Sequence, residues 1–140
     1  MRRLRGEDGN AMVEFVYLSV LLMVPLVYVL TSAFQVQRAA FGVTEGARQA
    51  ARAYVTSSES SAEGRAREAA ALALSDQGVT EQPKTEITCS PGCRTPGATV
   101  TVTVRHVVRL PVFSLLGALA PVIPVSATHD EVIDEFQGAR

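Results

Sequence analysis

Twenty consecutive residues without a charge, Phe15 to Phe34 (FVYLSVLLMVPLVYVLTSAF), constrain this chain more than any other feature in it. At about 1.5 Å per residue a helix of that length spans roughly 30 Å, the hydrocarbon thickness of a bilayer. The alternative, a buried core helix, requires surroundings on every face, and about one hundred remaining residues form too small a domain to supply them. The run therefore reads as a transmembrane helix. Arg2, Arg3 and Arg5 precede it, and the positive-inside tendency places them in the cytoplasm, although Arg38, Arg48 and Arg52 follow on the other side. The part after the run then lies outside.

One carboxylate, Glu14, abuts the run, with Ala11, Met12 and Val13 before it. An acidic residue within a membrane helix costs about 2.5 to 3.5 kcal/mol at the centre and less near an end, so it needs a partner or a reason. Solvation at headgroup level, or the role of a first-turn acid favoured by the helix dipole, would explain it by position alone.

The context is more specific: RGEDG-NAMVEF ends a short charged leader at Gly9 and puts Glu14 fifth after it, followed by Phe15. This resembles a type IV prepilin. The resemblance implies a cut between Gly9 and Asn10 on the cytoplasmic side by a membrane-embedded aspartyl peptidase, and a role in assembly for Glu14. Glycine, lacking a Cβ, suits the extended backbone that a protease cleft takes. The α-amino group created at Asn10 would be a cation in an apolar setting, and Glu14 of a neighbouring subunit could pair with it in a staggered bundle. Pro25 interrupts the helix as a comparable proline often does in prepilins, the freed carbonyl being satisfied by neighbours or water.

Over Gly6 to Tyr54, where the hydrophobic helix runs into an Ala/Arg-rich one (RAAFGVTEGARQAARAY), the chain is similar to the TadE-like minor pilins or pseudopilins of tight-adherence (Flp) pilus systems. The major pilin of such systems has Glu-Tyr where this chain has Glu14-Phe15, and is much shorter. The resemblance implies a bacterial cytoplasmic-membrane protein, single-pass with its N-terminus inside, resident there or in an extracellular pilus. Its implied partners are the prepilin peptidase, other pilin or pseudopilin subunits, the pilus assembly machinery and the lipid bilayer.

Beyond the run, Val36, Ala40, Val43, Ala47, Ala50, Ala51 and Tyr54 recur at helical spacing, with Arg38, Glu45 and Arg52 opposite. One helix from about Val13 to Tyr54 is expected. TSSESS breaks the pattern, Ser60 and Glu63 have capping-box spacing, and a second helix over 62–76 closes at Gly78 with Ala66, Ala69, Ala70, Ala73 and Leu74 facing the first. Thr99 to Val104 alternates hydroxyl and valine side chains, which makes a half-buried strand. A shorter strand, Thr85 to Cys89, precedes it across a turn-rich link as an antiparallel hairpin, and a third is expected near Val125 to Ile133. Leu110 to Val125 is apolar but holds three prolines and a glycine, so it is either a hook toward the membrane surface or a partner, or a loop packed on the domain's own sheet.

The fold class is thus α+β: a long transmembrane helix extended outside the membrane, a second short helix and a small antiparallel sheet. The organisation is a leader over 1–9, the membrane helix over 10–34 and an extracytoplasmic domain over 35–140, with helices over about 35–54 and 62–76 and a β-rich part over 85–133.

Cys89 and Cys93 enclose a tight Ser-Pro-Gly turn outside the cytoplasm, where disulfides persist, and are expected to bond. Zinc would need more ligands than His106 and His129, which have no spacing that pairs them with the cysteines, and no cofactor is implied. His106 shares parity with Val104 and Val108 and reads as an edge or core residue; His129-Asp130-Glu131 reads as a solvated strand end. No nucleophile, base and orienting acid assemble, so an enzyme is not expected. Thirteen basic against fourteen acidic residues give no field for nucleic acid. The competing class is a secreted or membrane-anchored binding protein that uses the apolar run as signal peptide or anchor, with Thr31 and Ala33 as the small residues of a cleavage site.

Overall fold

A computed structural model of the chain describes residues 8–93, 95–110 and 122–134. Residues 1–7 of the expected leader and residues 111–121 of the apolar segment lie outside these. Two compact units are present, Met1–Phe34 and Gln35–Arg140.

Helix α1, Asp8–Thr56, contributes to both units and has Pro25 inside it. It starts five residues before the expected Val13, which puts Gly9 and Asn10 in its first turn. Pro25 has no N–H to offer the Leu21 carbonyl, so that group lacks its usual helical donor. At the other end the Thr56 and Ser57 hydroxyls donate to the Arg52 and Ala53 carbonyls, the second an acceptor that the helix terminus would leave open.

In the second unit α1 buries Ala39, Gly42, Val43, Gly46, Ala47, Ala50, Ala51, Tyr54 and Val55, while Arg38, Glu45 and Arg52 are exposed. The expected stripe is buried from Val43 to Tyr54, whereas Val36 and Ala40 are half-buried and Ala39 is buried in their place; it is also wider, because Gly42 and Gly46 face helix α2 (Ala62–Asp76). A Cβ on Gly46 would lie 3.1 Å from Leu74 Cδ1, and one on Gly42 3.3 Å from Leu74 Cγ. The two helices meet where neither glycine has a side chain, and the fully buried Leu74 fills the space.

Helix α2 spans the expected residues, with Ser61 rather than Ser60 at the N-cap. Ser61 makes no side-chain cap bond; its hydroxyl meets that of Ser58 at 2.8 Å. Glu63, displaced from the position that would reach back to the cap, pairs with Arg67 at 3.0 Å one turn on. The C-terminus closes at Gly78 as expected: Gly78 N–H donates to Ser75 and Val79 N–H to Leu74, with Gly78 at φ 78°. This is the Schellman arrangement, which needs a left-handed residue at that point.

The sheet is antiparallel in the order β1 (Lys84–Ser90), β2 (Thr99–Arg109), β3 (Val122–Val132). Alternation decides its faces. Val100, Val102 and Val104 are fully buried beneath α1 and α2 side chains in one core, and Ile87, Cys89, Val125 and Ala127 pack beside them. On the outer face Thr103 and Thr128 share a hydrogen bond of 2.9 Å and Thr101 donates to Asp130 at 2.6 Å.

Strand β3 begins three residues before the expected Val125. Val122 to Val125, the end of the apolar segment, pair with Arg109 to His106 and belong to the sheet rather than to a hook or loop. Pro124 is tolerated because β3 is an edge strand. His129 and Glu131 are partly buried on the inner face of β3, 3.3 Å apart, instead of forming a fully solvated end; Asp130 alone of the three is exposed.

Candidate functional site

The first unit presents an apolar helical surface that nothing within the described chain covers. Every residue from Ala11 to Val27 is exposed, Met12 at 73% and Phe15 at 72%. Proteins that live in water rarely expose a contiguous apolar patch beyond a few hundred Å². This helix exposes leucine, valine, methionine and phenylalanine all round and is long and apolar enough to cross a membrane. The Thr31 hydroxyl donates to the Val27 and Tyr28 carbonyls, both at 3.0 Å, so that its polarity is satisfied within the helix. Water is not needed there, as an apolar surrounding requires. Thr31, read from the sequence only as a small residue of a cleavage site, stands three and four residues after helical carbonyls, the spacing that signals such a bond.

The expected cleavage and assembly residues fall near the start of α1. Gly9 and Asn10 occupy the first turn. Glu14 lies four residues after Asn10, one turn on and on the same side of the helix. It is exposed and makes no ion pair or hydrogen bond among the described residues. Phe15 is exposed beside it. One carboxylate is therefore set into an otherwise apolar surface; because α1 starts at Asp8, Glu14 lies in the second turn and is not the first-turn acid that the helix dipole would favour.

Cys89 and Cys93 are brought together as expected: they form a disulfide with Cα atoms 5.1 Å apart, closing the turn that leaves β1. The Cys89 sulfur lies 4.0 Å from the Tyr54 hydroxyl, tying that turn to the face of α1 that carries the core. His106 lies on the inner parity of β2, and His129 is paired with Glu131. Among the described residues no group of three or more His, Cys, Asp or Glu side chains converges as a metal site would require.

Within the second unit an open cleft of about 330 Å³ lies where α1, the connection after α2 and the end of β2 meet, lined by Arg38, Glu81, His106 and Arg109. Sequence reading missed it because its residues come from three separated segments. No protein-family model, no curated protein and no solved structure matches this chain.

Proposed function

We propose that the chain is a TadE-like minor pilin or pseudopilin. A prepilin peptidase cuts it between Gly9 and Asn10, and its N-terminal helix then takes part in assembling a tight-adherence pilus or a related secretion filament. The observation that supports this most is the unbroken apolar surface of α1 from Ala11 onward with the single carboxylate of Glu14 near its start. Such a surface is satisfied by lipid before assembly and by the helices of other subunits after it. The leader stays in the cytoplasm and the second unit lies outside, the setting in which the Cys89–Cys93 disulfide persists.

The role of Glu14 follows from charge. Removal of the leader exposes an α-amino group at Asn10 within apolar surroundings, and a carboxylate brought against it by a staggered neighbour leaves neither ion alone. The isosteric Glu14→Gln change would leave processing intact and weaken the recovery of associated subunits.

The second reading, a signal anchor or a conventionally secreted binding protein, uses the same apolar helix without the cut at Gly9. The N-terminal residue and intact mass of the mature protein, recovered from membranes of cells that contain the peptidase, separate the readings. Asn10 is expected. Met1 would mean a plain anchor and Phe34 a conventional signal peptide, and either would refute the proposal.

A further inference from the structure

We propose that the cleft between α1, the α2–β1 connection and the end of β2 binds a phosphate-bearing anion, with the headgroup phosphate of an anionic phospholipid as its occupant. The inference rests on the membrane reading of α1 given above. Three features carry it.

The first is the balance of donors and acceptors. Arg38 and Arg109 present guanidinium groups, His106 a ring N–H, and Gln35 and Gln77 amides; Glu81 supplies the one carboxylate of the lining. Arg109 holds Glu81 at 2.6 Å, whereas Arg38 has no ion pair or hydrogen bond among the described residues. The cleft therefore keeps a guanidinium fork uncommitted, and planar forks match phosphate oxygens two at a time.

The second is size and continuity. About 330 Å³ accommodates a phosphodiester with its first substituents, at the lower end of the range for small-molecule sites. A neighbouring cleft shares Glu81, His106 and Arg109 and adds Lys84 and Arg105, the latter paired with Glu86 at 3.6 Å, so Lys84 extends the cationic lining beyond the first cavity.

The third is depth. Arg38 follows Phe34 by four residues of the same helix, a rise of about 6 Å. The polar layer of a bilayer extends roughly 5 to 8 Å beyond the hydrocarbon on each side. If the apolar run ends at the hydrocarbon boundary, Arg38 stands at the level of the phosphates. A merely solvated arginine would share that level but would not retain lipid once the bilayer is removed.

The test uses the full chain, reconstituted in nanodiscs of phosphatidylglycerol and phosphatidylcholine and then released into mild detergent for native mass spectrometry. Wild-type protein is expected to retain phosphatidylglycerol. The Arg38→Gln/Arg109→Gln variant should retain it at least about tenfold less, the loss of one charge-assisted hydrogen bond or more. Arg67→Gln, which alters an exposed pair on α2, should retain it as wild type does. A melting curve for each variant separates lost binding from lost folding, and single Arg38→Gln protein, which breaks no ion pair, carries the test if the double variant fails to fold. Equal retention by wild type and variants overturns the proposal. Inorganic phosphate added at millimolar concentration distinguishes the source: no displacement supports the lipid, whereas full displacement assigns the cleft to free phosphate and overturns the lipid as occupant. Failure of the membrane reading would appear separately, as protein that does not enter the nanodisc.

Discussion

Replacing Gly46 by valine tests the packing of the second unit at its tightest point. A Cβ there would lie 3.1 Å from Leu74 Cδ1 and 3.4 Å from the Ala70 carbonyl oxygen, and valine adds two methyl groups beyond it. Leu74 is fully buried, so its side chain has no solvent to move into. Overpacking of this kind costs roughly 1 to 3 kcal/mol. A β-branched residue regains less than half of glycine's ~1 kcal/mol helix penalty, so the offset is small. Taking a net loss of ~1.5 kcal/mol, a domain of about one hundred residues should melt roughly 6 to 12 °C lower. Thermal unfolding of the full chain in detergent, followed by circular dichroism, reads this directly. The cause is isolated by adding Leu74→Ala: alone it should cost roughly 2 to 5 kcal/mol, but combined with Gly46→Val it should cost less than the sum, because the cavity accepts the valine. A Gly46→Val protein that melts at or above wild type, or strict additivity in the double variant, would refute the argument that this glycine sets the approach of the helices.

Gly64→Ala, on an exposed position of α2 with nothing within 4 Å of the added methyl, should instead stabilise by roughly 0.5 to 1 kcal/mol, seen as a higher melting temperature. Val102→Thr should cost roughly 1 to 3 kcal/mol by burying a hydroxyl among apolar neighbours. Thr103→Val, one residue along on the open face, should stay within about 0.5 kcal/mol, and a urea titration of both variants checks the contrast. Replacing both Cys89 and Cys93 by serine opens a short loop and should lower stability by no more than ~2 kcal/mol, measured against wild type with and without reductant.

Much of this architecture can be read from residue order because its periodicities are strong. Val and Thr alternate through Val104, and the sheet's two faces follow; Gly78 follows an alanine-rich helix, and the closing turn follows. Other features leave no such trace. Gly42 and Gly46 carry no apolar signal, yet they determine how closely α2 approaches. Four serines surround the start of α2, and local spacing does not tell which one faces the helix. The prolines of the apolar segment conceal that its last residues pair as an edge strand. At the candidate site, Gly9, Asn10, Glu14 and Phe15 are visible in order and spacing, but no group that would neutralise Glu14 is found among the described residues. The cleft around Arg38 was invisible because only the folded chain gathers its three segments.

The pairing of β1 with β2 behaves as a reading frame. Cys89 stands opposite Val100, Ile87 opposite Val102 and Thr85 opposite Val104, and every second residue is committed to the interior. A slip of β2 by one position would carry Val100, Val102 and Val104 into water and three threonines into the core, so no intermediate alignment is nearly as good. Cys89 and Cys93 sit just at the edge of this frame, where the chain leaves β1. Once they are bonded, the turn that must bring β2 back is shortened and constrained. Oxidation would then act as proofreading, favouring the one alignment whose pattern already agrees with it.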